Sequence, residues 1–119
     1  MKAIGVDIIE IERIATSIDR FGGRYLQRVY TPQELAYCQG RTTSLAARWA
    51  AKEAAAKALG TGIGDVGWQE IEVVNADNGC PSLKLHGKAM ELAQRLGISE
   101  LFVSLSHTKD YAVAFVVGE

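Results

Sequence analysis

The chain has 119 residues, 48% of them hydrophobic, and a formal net charge of −1. That is one domain's length, over residues 1–119, with enough apolar residues for a core of its own; it excludes a disordered chain. The near-zero charge excludes a protein built mainly to coat nucleic acid or an anionic membrane, although a local basic patch stays open.

The opening KAIGVDI is β-branched and alternates apolar residues, so it reads as a strand that ends near Asp7. From about Ile8 the spacing turns helical, with Ile8, Ile11, Ile14 and Ile18 on one face, and Gly22 and Gly23 stop that helix. RYLQRVYT adds a short amphipathic turn or two. TPQELAYCQG restarts with Thr31 as N-cap, Pro32 at the first helical position and Glu34 three residues after the cap. Thr42 to Ser44 offer caps for an alanine-rich helix that Gly60 ends. QEIEVVNADNGCPSLKLHG reads as a hairpin turning at Asn78-Gly79, with Ile71 and Val73 facing Leu83 and Leu85. GKAMELAQRLG is a short helix with Ala89, Leu92, Ala93 and Leu96 inward. LFVSLSHTKDYAVAFVVGE closes the chain as a second hairpin, turning from His107 to Asp110. Helices mixed with antiparallel hairpins predict an α+β fold, helices packed on an antiparallel sheet. No apolar run is long enough to span a bilayer, and the N-terminal segment lacks signal-peptide features. Cys38 and Cys80 match no metal or disulfide spacing, as expected of free thiols in a cytoplasmic protein.

Three clusters carry chemistry. Asp7 is a carboxylate among Ile4, Val6, Ile8 and Ile9, and such a group needs a cation, a donor or a helix N-terminus. It either caps the following helix or holds a partner from elsewhere. The stretch RWAAKEAAAKALGTGIG has Lys52, Glu53 and Lys57 in its middle. Glu53 and Lys57 share a helical face with Ala46, Ala50 and Gly60, either as a solvated pair or as a thinned surface on which a phosphate can lie. The glycines of GTGIG either end the helix or let backbone N–H groups approach an anion, in neither a GxGxxG nor a Walker pattern. His107, Thr108 and Lys109 in SLSHTKDYA can all donate to an anion. Together these describe a Mg²⁺–phosphate site, since magnesium takes one or two protein carboxylates and completes its octahedron with water and substrate oxygens. Asp7 and Glu53 are its carboxylates, and Lys57 its fixed positive charge.

In this order and spacing, GVDIIEIERI, RVYTPQE, RWAAKEAAAKALGTGIG, the NGCP turn and VSLSHTKDYAVAFVV resemble the bacterial holo-[acyl-carrier-protein] synthases over nearly the whole chain. The resemblance implies a 4′-phosphopantetheinyl transferase fold. It also implies Mg²⁺-dependent transfer of the 4′-phosphopantetheine arm of coenzyme A to a serine of apo acyl carrier protein, as in fatty acid biosynthesis. By motif position Asp7 and Glu53 would bind the metal and Lys57 the pyrophosphate. Arg48, Gly60, His107 and Thr108 would hold coenzyme A, His107 also serving the chemistry. Arg13 would meet acidic residues of the carrier protein. From their own spacing, Arg20, Arg24 and Arg28 recur every four positions and either extend that basic border or form a solvated surface partly balanced by Glu12 and Asp19. The same resemblance implies a homotrimer with active sites at subunit boundaries. Tyr30 departs from the family pattern, in which Phe or Leu is commoner at that position. Two rival readings remain from the sequence: a Mg²⁺-dependent pyrophosphohydrolase using the same carboxylates, and a non-catalytic trimer that binds carrier proteins through the arginines.

Overall fold

A computed structural model describes residues 1–119. Strand β1 (Ala3–Glu10) leads into helices α1 (Ile11–Phe21), α2 (Gly23–Val29), α3 (Pro32–Cys38) and the long α4 (Thr42–Ala58). A 3₁₀ turn at Trp68–Glu70 precedes the hairpin of β2 (Ile71–Asn75) and β3 (Pro81–Leu85). Helix α5 (Gly87–Arg95) and a second hairpin, β4 (Leu101–His107) with β5 (Tyr111–Gly118), complete the chain. The expected α+β mixture is what forms. β1, β5 and β4 make an antiparallel sheet in that order, and β2 and β3 a separate pair whose β3 lies beside β4. β1 is therefore an edge strand.

Helix α4 lies across the inner face of the three-stranded sheet. Its alanines are what allow this. Ala46, Ala50, Ala51, Ala54, Ala55 and Ala56 are fully buried, and Ala112, Ala114 and Val116 of β5 lie buried on the inner face of the sheet. At Gly5 the approach of strand to helix is so close that a Cβ would run into the Ala54 carbonyl and stand 2.9 Å from the Ala58 nitrogen. The expectation that the alanines thin the helix for a phosphate is corrected here: they are core, and they thin it for the sheet. Gly60, at φ 74°, ends α4 in a Schellman turn, with Gly60 N–H donating to Lys57 O and Thr61 N–H to Ala56 O.

Several boundaries move. β1 continues through Ile8 and Ile9 to Glu10 because those residues pair with Val113 and Ala112 of β5; strand pairing overrides the helical spacing. Ile8 is consequently 62% exposed on the outer face of the sheet, while Ile14 is buried as expected. Gly22 breaks the chain at φ 54°, but Gly23 already opens α2. Thr31 and Glu34 form the expected capping box. Thr42 to Ser44 lie inside α4 instead of capping it; Arg41 is the N-cap residue, and its side chain donates to the Tyr37 and Cys38 carbonyls at the end of α3. Gln69 and Glu70 sit in the 3₁₀ turn, not in the hairpin arm, where the Ile71–Leu85 and Val73–Leu83 pairs form as read. Leu96 is exposed, with Ile98 buried in its place, and His107 is the last residue of β4, not of the turn. Tyr30 is fully buried, and its hydroxyl donates to Leu45 O at 2.8 Å, so the extra oxygen of this departure from the family pattern is satisfied. Cys38 is buried and Cys80 exposed, and both are free. No helix is long and apolar enough to cross a membrane.

Candidate active site

Asp7 lies in the middle of the edge strand, paired with Ala114, so it caps no helix; Glu10 is the residue before α1. Strand alternation turns Asp7 inward with Gly5 and Ile9, toward α4. There Lys57 Nζ reaches it, 2.9 Å from Asp7 Oδ1 and 3.1 Å from the Val6 carbonyl. Lys57 thus pairs with Asp7 and not, as a solvated helix pair would, with Glu53. Glu53, one turn before Lys57, is half-buried, and its carboxyl is held above the usual carboxylate range: burial contributes most, the Asp7 charge adds to it, and Lys57 works against both. Two carboxylates distant in sequence therefore share one electrostatic neighbourhood.

The site fits a divalent cation on two counts. Asp7 Oδ2 is buried and has no hydrogen-bond partner, and an orphaned buried oxygen costs about 1–3 kcal/mol unless something takes it up. The donor set is a carboxylate pair; no group of three or more His, Cys, Asp or Glu side chains gathers anywhere in the chain. That suits a hard ion that keeps water and substrate oxygens, not a closed zinc cage.

The other expected residues lie elsewhere. Arg48 points off α4 toward α3 and β2, where its Nη2 donates to Asn75 Oδ1 and its guanidinium lies 4.5 Å above the Tyr37 ring. It is buried, and its Nε has no partner. His107 lies two strands from β1, roughly 10 Å across the sheet, and is exposed at the end of β4. Thr108 shapes the turn by accepting from the Asp110 and Tyr111 amides, leaving its own hydroxyl proton free. Within one chain, Arg48, His107 and Thr108 do not converge on Asp7, and Gly60 lies in the turn that follows Lys57. Arg13, Arg20, Arg24 and Arg28 are exposed along α1 and α2. Arg24 and Arg28, with Ser17, Phe21 and Tyr25, line an open hollow of about 300 Å³.

A buried network went unread in the sequence. Lys52 and Glu34 are both fully buried and pair at 2.7 Å. Lys52 Nζ also donates to the Trp68 and Ile71 carbonyls, at 3.0 and 2.6 Å. Glu34 accepts in addition from the Thr31 and Val73 amides. Thr31 donates its hydroxyl to Glu72, which pairs with His86 at 3.0 Å. Burial pulls the Lys52 ammonium down, against the charge and hydrogen bond of Glu34. The only signal available was Lys52 itself, a lysine among alanines with no acidic residue three or four positions away in the helix to answer it.

The chain belongs to the 4′-phosphopantetheinyl transferase superfamily, whose model matches residues 3–116. Among its relatives, the holo-[acyl-carrier-protein] synthase of Herpetosiphon aurantiacus is 52% identical, across 99% of this chain and 98% of that protein. The holo-[acyl-carrier-protein] synthase of Koribacter versatilis is 51% identical across 97% and 95%. The Helicobacter pylori holo-[acyl-carrier-protein] synthase, solved in complex with coenzyme A, superposes with a TM-score of 0.89 at 32% identity, covering 98% of this chain and 99% of that one.

Proposed function

We propose that this protein transfers the 4′-phosphopantetheine arm of coenzyme A to a serine of apo acyl carrier protein, releasing adenosine 3′,5′-bisphosphate. The observation that carries the reading is the Asp7–Glu53–Lys57 cluster, with its unpartnered Asp7 oxygen, in a chain half identical to synthases of that name over its full length. Mg²⁺ held by Asp7 and Glu53 supplies neutralisation of the pyrophosphate charge. Lys57, about half exposed, swings from Asp7 to a phosphate oxygen when substrate arrives. Asp7 and Val6 O keep that ammonium aimed until then. The nucleophile comes from the partner, and its proton goes to Glu53, to Asp7 acting through water or to a metal-positioned water; His107, two strands away in the same chain, reaches it only from a neighbouring copy. Arg48, Gly60, His107 and Thr108 hold the nucleotide end, and Arg13, Arg20, Arg24 and Arg28 form the basic border that receives an acidic carrier protein.

The scatter of these groups within one chain supports a homotrimer with shared sites. The outer face of the sheet is apolar and exposed: Ile4, Val6, Ile8, Phe102 and Phe115 are each 44–62% accessible. They lie side by side through the Val6–Phe115, Ile4–Val117 and Phe102–Val117 pairs. A patch of this kind marks an association surface. It is built partly on β1, the edge strand that carries Asp7 on its other face, so a copy that reaches around that edge stands next to the cluster.

The test is mass spectrometry of apo carrier protein incubated with the protein, coenzyme A and Mg²⁺. The expected result is a mass gain of one phosphopantetheine that chelation with EDTA abolishes. Cleavage of coenzyme A without carrier protein, and no mass gain with it, would favour a pyrophosphohydrolase instead.

A further inference from the structure

Helix α4 presents three faces. Ala54 and Ala58 meet the sheet at Gly5, Lys57 pairs with Asp7 whose charge Glu53 also feels, and Arg48 and Lys52, one turn apart, meet α3 and β2. The sheet face is nearly all alanine, small and alike on every side. Such a surface lets a helix come close but gives little shape to fix its rotation or its slide along the axis. Lys52 supplies what the alanines lack. Its side chain is fully buried, and its three ammonium protons meet three acceptors on three other elements: Glu34 on α3, Trp68 O in the 3₁₀ turn and Ile71 O at the start of β2. Two of the three acceptors are themselves fixed, Glu34 by the Thr31 and Val73 amides and Ile71 by its place in the hairpin. Glu53 follows Lys52 by one residue, about 100° around the helix. Arg48 precedes it by one turn, and its own bed, Tyr37 and Asn75, comes from the same two elements, α3 and β2.

A buried ion pair is weak evidence for stability, because desolvation consumes most of what the attraction gives. A role in geometry explains it better. We infer that the Glu34–Lys52 pair is a positioning device for the active site, locking α4 so that Glu53 faces Asp7 on one side and Arg48 is seated for the nucleotide on the other. Neither residue touches substrate or metal, so both are positioning residues. This inference rests on the proposed Mg²⁺ and nucleotide roles of Glu53 and Arg48.

The test is binding by the full-length protein, read by calorimetry with Mg²⁺ alone and with adenosine 3′,5′-bisphosphate alone, at a temperature where circular dichroism shows each variant folded. The double variant Glu34→Gln/Lys52→Met removes both charges and strands neither. It should fold, while its affinity for Mg²⁺ falls roughly tenfold to a hundredfold, as happens when groups behind a metal ligand are lost. Its affinity for the bisphosphate should fall as well. Glu34→Asp keeps both charges and withdraws the carboxylate by one methylene; should the double variant not fold, this one carries the same expectation. A folded variant of either kind that binds both ligands as tightly as wild type overturns the inference, whatever its melting temperature. Wild-type protein that binds neither ligand would instead refute the proposed site itself.

Discussion

At the scale of single residues, Glu72 on β2 sets an acid limit on the fold. Burial pushes Glu72 up, but the Thr31 hydroxyl, His86 and Lys52 outweigh it and hold the carboxyl below the usual range. A carboxyl depressed in the folded state gives stability that is present above its unfolded value, about pH 4.3, and lost as pH falls through the folded value. Denaturant midpoints should therefore drop as pH is lowered below about 4.3, and Glu72→Gln should make that drop shallower; an unchanged pH profile would show that Glu72 is not depressed. Tyr30→Phe removes the donor to Leu45 O and should cost about 1 kcal/mol in the same measurement. That Asp7 needs a partner was legible from the sequence because it sat among isoleucines, and Lys57 is the partner the fold supplies. The Glu34–Lys52 pair was not, because a capping-box glutamate and a helix lysine each have an ordinary surface explanation, and only tertiary packing removes it.

At the scale of elements, the sheet and α4 are joined through their backbones at Gly5, where no side chain fits. Gly5→Ala should destabilise the fold by about 1–3 kcal/mol or more, the cost of overpacking a close contact, and a thermal scan matching wild type would contradict the reading of that contact. Turns and caps were readable where local chemistry decides them: the Thr31–Pro32–Glu34 start, the Gly60 stop and the Asn78-Gly79 turn all formed. Boundaries decided by distant partners were not. Ile8 and Ile9 fit a helical spacing as well as a strand, and only Val113 and Ala112 across the ladder choose between them. The alanines of α4 showed closeness to something, but not whether it was a phosphate or a strand.

At the scale of the molecule, the apolar outer face of the sheet and the spread of the groups proposed to hold coenzyme A point to one assembly. Sedimentation equilibrium should give three times the chain mass of 12.9 kDa. Ile8→Glu puts a charge on the β1 edge of that face and should yield folded monomers that have lost transfer activity; active monomers would refute sites shared between copies. The alternation of β1 already contained this face, since Ile4, Val6 and Ile8 sit on one side of it. Its exposure only becomes visible once Asp7, Gly5 and Ile9 are seen to take the other side against α4. The central claim remains the meeting of Asp7 and Glu53 around one divalent ion. It is tested most directly by the Mg²⁺-dependent rate at which Asp7→Asn and Glu53→Gln load apo carrier protein. Both variants should stay folded and lose roughly a hundredfold or more in rate; a near-normal rate in either would contradict the account.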